Sequence, residues 1–370
     1  MKFLHFLRKL RPRYDTLVTV AVYRDRILRN LEVLRNGAGS NHIAPVLKSN
    51  AYGHGLVEVA EILDGAGVPF FALDSYHEAL TLRGAGIKTH IVVIGFTPFE
   101  NIRRNRRKDV AFTITDLEQL KHLSKKLKSP QTFHLKIDTG LNRQGIMPGE
   151  IDEAITIIKS SPNIVLEGLS SHFADGEDED YTEKQIAIWN PLVEKLTLMF
   201  PLKFIHFAAT TGLAHLSKIK SNVARVGKGL YGLGNIHGTV PALEMRAKIT
   251  GVKKIKAGDS VGYGMTFTAE KDMTIGTLPV GYYEGVDRRL SNIGVVKYKD
   301  KFCRILGRVS MNITTIDMTN CSDAKAGDEV VVVSANTAEQ NSVENLAKLC
   351  NTIALDFVVH IPQHLRRVVM

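Results

Sequence analysis

Three cysteines in 370 residues are too few to staple a fold of this size. Cys303, Cys321 and Cys350 have neither metal-ligand nor redox spacing, so they are expected as reduced thiols in a cytoplasmic protein, and no metal site is expected. Long apolar runs are missing as well, and no stretch could span a bilayer as a helix. The opening MKFLHFLRKLRPR is basic, yet no small-residue cleavage site follows a proper apolar core, so a secretory signal is not expected. The net charge of +10 is concentrated there and at Arg103 to Lys108 (RRNRRK). Both clusters lack the aromatic interleaving of a nucleic-acid face. The second reads as a solvated helix end, and the excess charge as solubility or attraction for anionic ligands.

What is present is ordinary in bulk: 44% hydrophobic and 23% charged residues, in a chain long enough for two domains. After a basic leader (1–15), Leu17–Val22 is a short β-prone run, and Tyr23–Arg35 carries Ile27, Leu28, Leu31 and Leu34 at helical spacing. Apolar runs suited to buried parallel strands then recur at about 43–48, 69–74, 90–95, 110–114, 132–138, 164–171, 203–208 and 222–227. Helical patterns separate them at Leu56–Ala66, Tyr76–Gly84, Asp116–Lys128, Glu150–Ser160 and Glu183–Met199. Eight such units predict a (β/α)8 TIM barrel over 16–240. From about 241 to 370 the texture becomes short alternating runs broken by turns, with only Ser342–Asn351 helical, so a mostly β second domain is expected.

A barrel places its chemistry at the C-terminal ends of its strands. Out-of-place polar residues gather there: Lys48 after the first run, Lys136, Asp138 and Arg143 after the fifth, His172 after the sixth, Thr210 after the seventh, and Arg225 with Gly227 at the eighth. In APVLKSNAYGHG (44–55) an apolar run delivers Lys48 and then turns among small residues, presenting an amine at a sheet rim where it could form a Schiff base. A solvated lysine at a strand end is the alternative.

APVLKSNAYGHG closely resembles the signature of the alanine racemase family, and the barrel-then-β order extends the resemblance over nearly the whole chain. The resemblance implies pyridoxal phosphate carried on Lys48, and an active homodimer with shared sites. KIDTGLNRQG is similar to the family's K-x-D-T-G-x-x-R segment, which implies a substrate-orienting Arg143 held by a carbamylated Lys136. The alternatives are a loop arginine and a lysine paired with Asp138. His172, in SSHFAD, resembles the histidine near the cofactor ring. Arg225, in NVARVG, resembles the arginine that donates to the ring nitrogen. A guanidinium holds its proton, so it leaves that nitrogen unprotonated and favours reprotonation at Cα over side reactions. Tyr52, Thr210, Gly227 and Lys228 are implied at the phosphate. Tyr263, between glycines in DSVGYGMTF, resembles the second acid/base group, contributed by the partner subunit, since racemisation needs a group on each face of Cα. A packed surface tyrosine is the alternative. Tyr282 resembles an entrance residue, and Met311 the position whose backbone N–H meets the substrate carboxylate. The chain departs from the family pattern at Ala209, at Asn312 and at Val359, where a phosphate-holding tyrosine is usual. The expected activity is interconversion of L- and D-alanine. Alternatives are a broader-specificity racemase, a barrel-type decarboxylase (whose acidic and cysteine motifs are missing), or a degenerate cofactor-binding relative.

Overall fold

The computed structural model describes residues 15–370, so the expected basic leader, 1–15, lies outside the described residues except for Asp15. The first strand, β1 (Val18–Val22), does not enter the barrel. It runs antiparallel to β10 (Leu243–Lys248) and parallel to β19 (Arg366–Val369), inside the sheet of the second unit. A β-prone run announces a strand but not its partner, and here the partners lie more than 200 residues away.

From β1 the helix α1 (Arg24–Gly37) leads into eight parallel strands: β2 (His42–Pro45), β3 (Phe71–Leu73), β4 (Ile91–Val93), β5 (Val110–Ile114), β6 (Gln131–Lys136), β7 (Ile164–Ser170), β8 (Phe204–His206) and β9 (Val223–Val226). Their order is β2-β9-β8-β7-β6-β5-β4-β3, and a parallel bridge between Val46 and Ala72 closes the ring. This is the expected TIM barrel. Six helices follow the first six of these strands: α2 (Leu56–Leu63), α3 (Tyr76–Ala85), α4 (Phe99–Arg104), α5 (Leu117–Lys126), α6 (Ile151–Lys159) and α7 (Glu179–Thr197). The RRNRRK cluster begins at the C-terminal end of α4, where cations suit the helix dipole.

Strand alternation sorts the core into two populations. Phe71, Leu73, Ile91, Val93, Phe112, Ile114, Phe133 and Leu135 pack outward under the helices. Ala44, Phe70, Ala72, Val92, Ala111, Phe204 and Val223 fill the lumen. Helix α5 shows why the outer layer forms: Asp116 caps it by accepting from the Gln119 N–H at 2.7 Å, and Leu117, Leu120 and Leu123 turn one buried face to the sheet. A fully buried leucine of this kind carries about 2–5 kcal/mol.

The second unit is mostly β, with a six-stranded sheet ordered β16-β15-β18-β10-β1-β19 and a three-stranded sheet β11-β14-β17. The remaining ranges are β11 (Gly251–Ile255), β12 (Ser260–Val261), β13 (Phe267–Thr268), β14 (Met273–Leu278), β15 (Val295–Tyr298), β16 (Lys301–Arg304), β17 (Thr314–Asp317) and β18 (Glu329–Val333). The expected helix at 342–351 is α8 (Val343–Leu349), and a second one, α9 (Ala354–Val359), was not expected. Its sequence, ALDFVV, is rich in β-branched residues, but burial of Phe357 and Val358 holds it helical. Among the described residues no helix is long and apolar enough to cross a membrane.

Candidate active site

The strand β2 stops at Pro45, so Lys48 stands three residues past the strand end at which it was expected. It opens a turn of left-handed backbone, with φ of 56°, 55°, 51° and 53° at Ser49, Asn50, Ala51 and Tyr52. None of these is glycine, and each L-residue in that region costs about 1–2 kcal/mol. The conformation persists because it is held from several sides. The Ser49 N–H donates to Glu78 at 2.8 Å, the Asn50 side chain accepts from the Leu56 N–H at 2.9 Å, and Arg367 donates to the Gly53 carbonyl at 2.8 Å. Gly53, at φ 81°, lies so close to α9 that a Cβ there would sit 2.1 Å from the Val358 carbonyl oxygen. The second unit thus braces the turn that aims Lys48 and Tyr52.

Both side chains face a cavity of about 650 Å³ at the C-terminal ends of the barrel strands. It brings together nine of the residues picked out from sequence: Lys48, Tyr52, Lys136, Arg143, His172, Thr210, Arg225, Gly227 and Lys228. Five of its lining residues are lysine or arginine, and Asp74 is its one carboxylic acid, which favours an anionic ligand. Asp74, at 3.8 Å from the Lys48 Nζ, is a site residue that sequence reading passed over. Its position at the end of the second barrel run could have flagged it.

Arg225 is buried at the cavity floor, and burial pushes its pKa down to about 10, so it stays cationic near neutrality. One terminal nitrogen donates to the His206 carbonyl at 2.8 Å and to His206 Nδ1. The other donates to the Ser171 carbonyl at 2.6 Å and to His172 Nδ1 at 3.2 Å. The Nε–H has no acceptor among the described residues. Burial, and then the Arg225 charge, push the His172 pKa down to about 3, so His172 is a neutral acceptor towards the arginine. Gly227 faces the Tyr52 ring so closely that a Cβ would meet the phenol oxygen at 2.4 Å. Burial raises the Tyr52 pKa to about 12 and keeps it a phenol.

Lys136 is not paired with Asp138, as one alternative had it. Asp138 accepts instead from the backbone N–H groups of Gly140, Asn142 and Arg143 at 2.9, 3.0 and 3.1 Å, and so shapes the loop that carries Arg143. Lys136 contacts Gln144 at 3.3 Å, and its pKa is pushed down to about 8 by burial and then by the Arg225 and Arg143 charges.

Three residues stay outside the cavity within one chain. Tyr263, Met311 and Tyr282 are 75%, 55% and 45% exposed on the second unit. Tyr263 is not a packed tyrosine: it stands between Gly262 and Gly264, both at positive φ, in a short 3-10 turn. Tyr282 and Met311 belong to adjoining strips, since Ser310 and Met311 carbonyls accept from the Tyr282 and Tyr283 N–H groups at 3.0 Å. Asn312 donates to the buried Glu284 carboxylate at 2.7 Å, a contact that the aspartate usual there would turn into repulsion. Val359 is partly exposed, and Leu355, one turn earlier on α9, is the residue of that helix on the cavity wall.

The chain matches the model of the alanine racemase N-terminal domain over residues 22–235 and that of the C-terminal domain over 242–369. Alanine racemase 1 of Caldanaerobacter subterraneus subsp. tengcongensis is 34% identical over 365 residues, 94% of each chain. The solved alanine racemase of Clostridium difficile has a TM-score of 0.89 at 27% identity and covers 97% of each chain. A histidine racemase from Leuconostoc mesenteroides subsp. sake has a TM-score of 0.86 at 26% identity, covering 97% of this chain and all of the other. Matched along both of its units by family models and at a third identity by a curated member, the chain belongs to the alanine racemase family of isomerases.

Proposed function

We propose that the cavity binds pyridoxal phosphate and racemises alanine by two bases, Lys48 of one subunit and Tyr263 of its partner, in a homodimer with shared sites. The observation that carries the cofactor reading is the Nε–H of the buried Arg225, a cationic donor on the cavity lining that has no acceptor among the described residues. A pyridine nitrogen is an acceptor of the right kind, and an arginine keeps its own proton in such a bond. The cationic walls, the Tyr52 phenol, the Thr210 hydroxyl and the Gly-containing turn Gly227-Lys228-Gly229 after β9 suit a phosphate. When bound, the cofactor supplies an electron sink that acidifies the proton on Cα of an amino acid.

Around that group the chain's own residues divide the work. Lys48 anchors the cofactor and moves the proton on one face of Cα, and Tyr263 of the partner copy moves it on the other. The high exposure of Tyr263 between two glycines supports a role at a second chain's site. Arg143 and the backbone at Met311 bind the substrate carboxylate, and Tyr282 lines the entrance. Residues 16–240, except for β1, form the barrel that holds the cofactor, and the second domain (241–370), whose sheet takes in β1, supplies the partner residues. The three buried free thiols suit a reducing cytoplasm.

Purified protein is expected to show the near-visible absorbance of a covalently held pyridoxal cofactor. It is also expected to exchange solvent deuterium into L-alanine. No absorbance, or absorbance without exchange into any amino acid, overturns the reading. The fold likeness to a histidine racemase favours broader specificity as the second reading, so L-serine, L-lysine and L-histidine belong in the same assay.

Lys136 is proposed to be carbamylated. A lysine whose pKa is pushed down to about 8 holds a usable fraction of neutral amine near pH 7. That amine adds to carbon dioxide, losing one proton and gaining a carboxylate that pairs with Arg143. Enrichment with 13C-bicarbonate is expected to give one carbamate signal that Lys136→Arg abolishes. A wild-type spectrum without it rejects the modification.

A further inference from the structure

Arg225 is a buried cation, and among the described residues no carboxylate lies within ion-pair distance of it. A charge left that way is strongly destabilising unless something compensates it. Its hydrogen bonds lead somewhere specific. Arg225 can only donate, so His206 Nδ1 accepts and the His206 proton must sit on Nε2. That Nε2 lies 2.6 Å from His134 Nδ1, which therefore accepts in turn, and the His134 proton sits on its own Nε2. His134 Nε2 faces the Glu167 carboxylate at 3.5 Å, and His90 Nε2 faces the same oxygen at 3.0 Å. These last two contacts are at ion-pair distance but off the axis of a good hydrogen bond, so the carboxylate acts there mainly through its charge.

The surroundings are built for this file. Phe70 packs against both imidazoles, at 5.9 Å from His134 and 5.4 Å from His206, and Phe204 stacks on His134 at 5.8 Å, so the path runs through dry, weakly polarisable space where charges act strongly. Burial and the nearby Arg225 keep both histidines neutral near pH 7, as the donor order requires. Burial alone would raise the Glu167 pKa, but the facing imidazoles of His134 and His90 outweigh it and hold the group ionised. Two backbone features make room. The pairing of β6 with β7 skips Glu167, since Phe133 pairs with Leu166 and His134 with Gly168, and such a bulge re-aims the skipped side chain. Gly168 is needed as glycine, because a Cβ would sit 2.8 Å from the His134 ring.

We propose that Glu167 is the counter-charge of Arg225, acting across the barrel through a one-way file of two neutral imidazoles, and that it is a positioning residue for the reaction. The link to the reaction rests on the cofactor reading above; the file itself does not. His90, His134 and Glu167 atoms also lie within 4.8 Å of one another, close enough to share a cation. A cation, however, needs the His134 Nε2 lone pair, which the donor order fills with a proton.

Nitrogen-15 spectra of the histidine-labelled full chain as purified, at pH 7, test the file directly. His134 and His206 are expected to be neutral, each protonated on Nε2. A bare His134 Nε2, or an imidazolium at either position, overturns it. In the holoenzyme, Glu167→Gln is expected to lower kcat about tenfold with KM changed less than about twofold, whereas Glu167→Asp, which keeps the charge, stays within about threefold of wild type. A Glu167→Gln enzyme with wild-type kcat, or an equal loss in both variants, overturns the positioning role. If the wild type racemises nothing, the cofactor reading fails while the nitrogen spectra still decide the file.

Discussion

Replacing Lys48 with alanine is expected to lower alanine racemisation by at least about 10⁴-fold, the scale seen when a residue that acts as both covalent anchor and proton carrier is removed. Among the described residues lining the cavity, Lys48 is the amine paired with its carboxylic acid, Asp74, at 3.8 Å. Its direction is set by the left-handed turn from Ser49 to Tyr52, so no neighbour can replace it by a rotamer change. Lys48→Arg is expected to be as poor, because a guanidinium does not release its proton near neutrality and cannot form the covalent link. Deuterium exchange into L-alanine measures the loss, and the near-visible absorbance of attached cofactor should vanish with it. Circular dichroism should be unchanged, since the lysine side chain is partly exposed and braces nothing. A Lys48→Ala protein within tenfold of wild type would remove Lys48 from the mechanism.

The same turn marks how far the sequence could be read. The barrel was legible because buried parallel strands are continuous apolar runs, and all eight stand where the runs are. Strand-end chemistry was legible for a related reason: a lysine, histidine or arginine closing such a run is out of place. The hand of the turn after Lys48 was not, because Ser49–Tyr52 contains no glycine to announce positive φ. That conformation is imposed by Glu78 and by α9 and Arg367 of the second unit, which no local window contains. Glu167 was hidden by a one-residue skip in strand pairing, which turns a residue within an ordinary strand pattern towards the lumen. β1 was read as a strand, but its place between β10 and β19 is a tertiary fact. Tyr263, Met311 and Tyr282 were reached by motif alone, and one chain leaves all three outside the cavity.

That last separation makes the strongest test of the shared site. Tyr263→Phe alone is expected to lower racemisation by about 10³-fold, as loss of a general acid/base does. It keeps the ring and removes only the hydroxyl, and an exposed position gives little reason for misfolding. Lys48→Ala alone is expected to be at least as inactive. If each site takes Lys48 from one subunit and Tyr263 from the other, a mixed dimer of the two variants contains one site with both groups intact and one with neither. Random re-pairing of equal amounts makes about half the dimers mixed, so about a quarter of wild-type activity should return from two dead proteins. If Lys48 and Tyr263 of the same chain served one site, every site in the mixture would lack one group and no activity would return. Mixing after brief denaturant exchange, with each variant alone as control, separates the two outcomes. Recovery would also show that neither substitution had merely unfolded its subunit, because an unfolded partner could donate nothing.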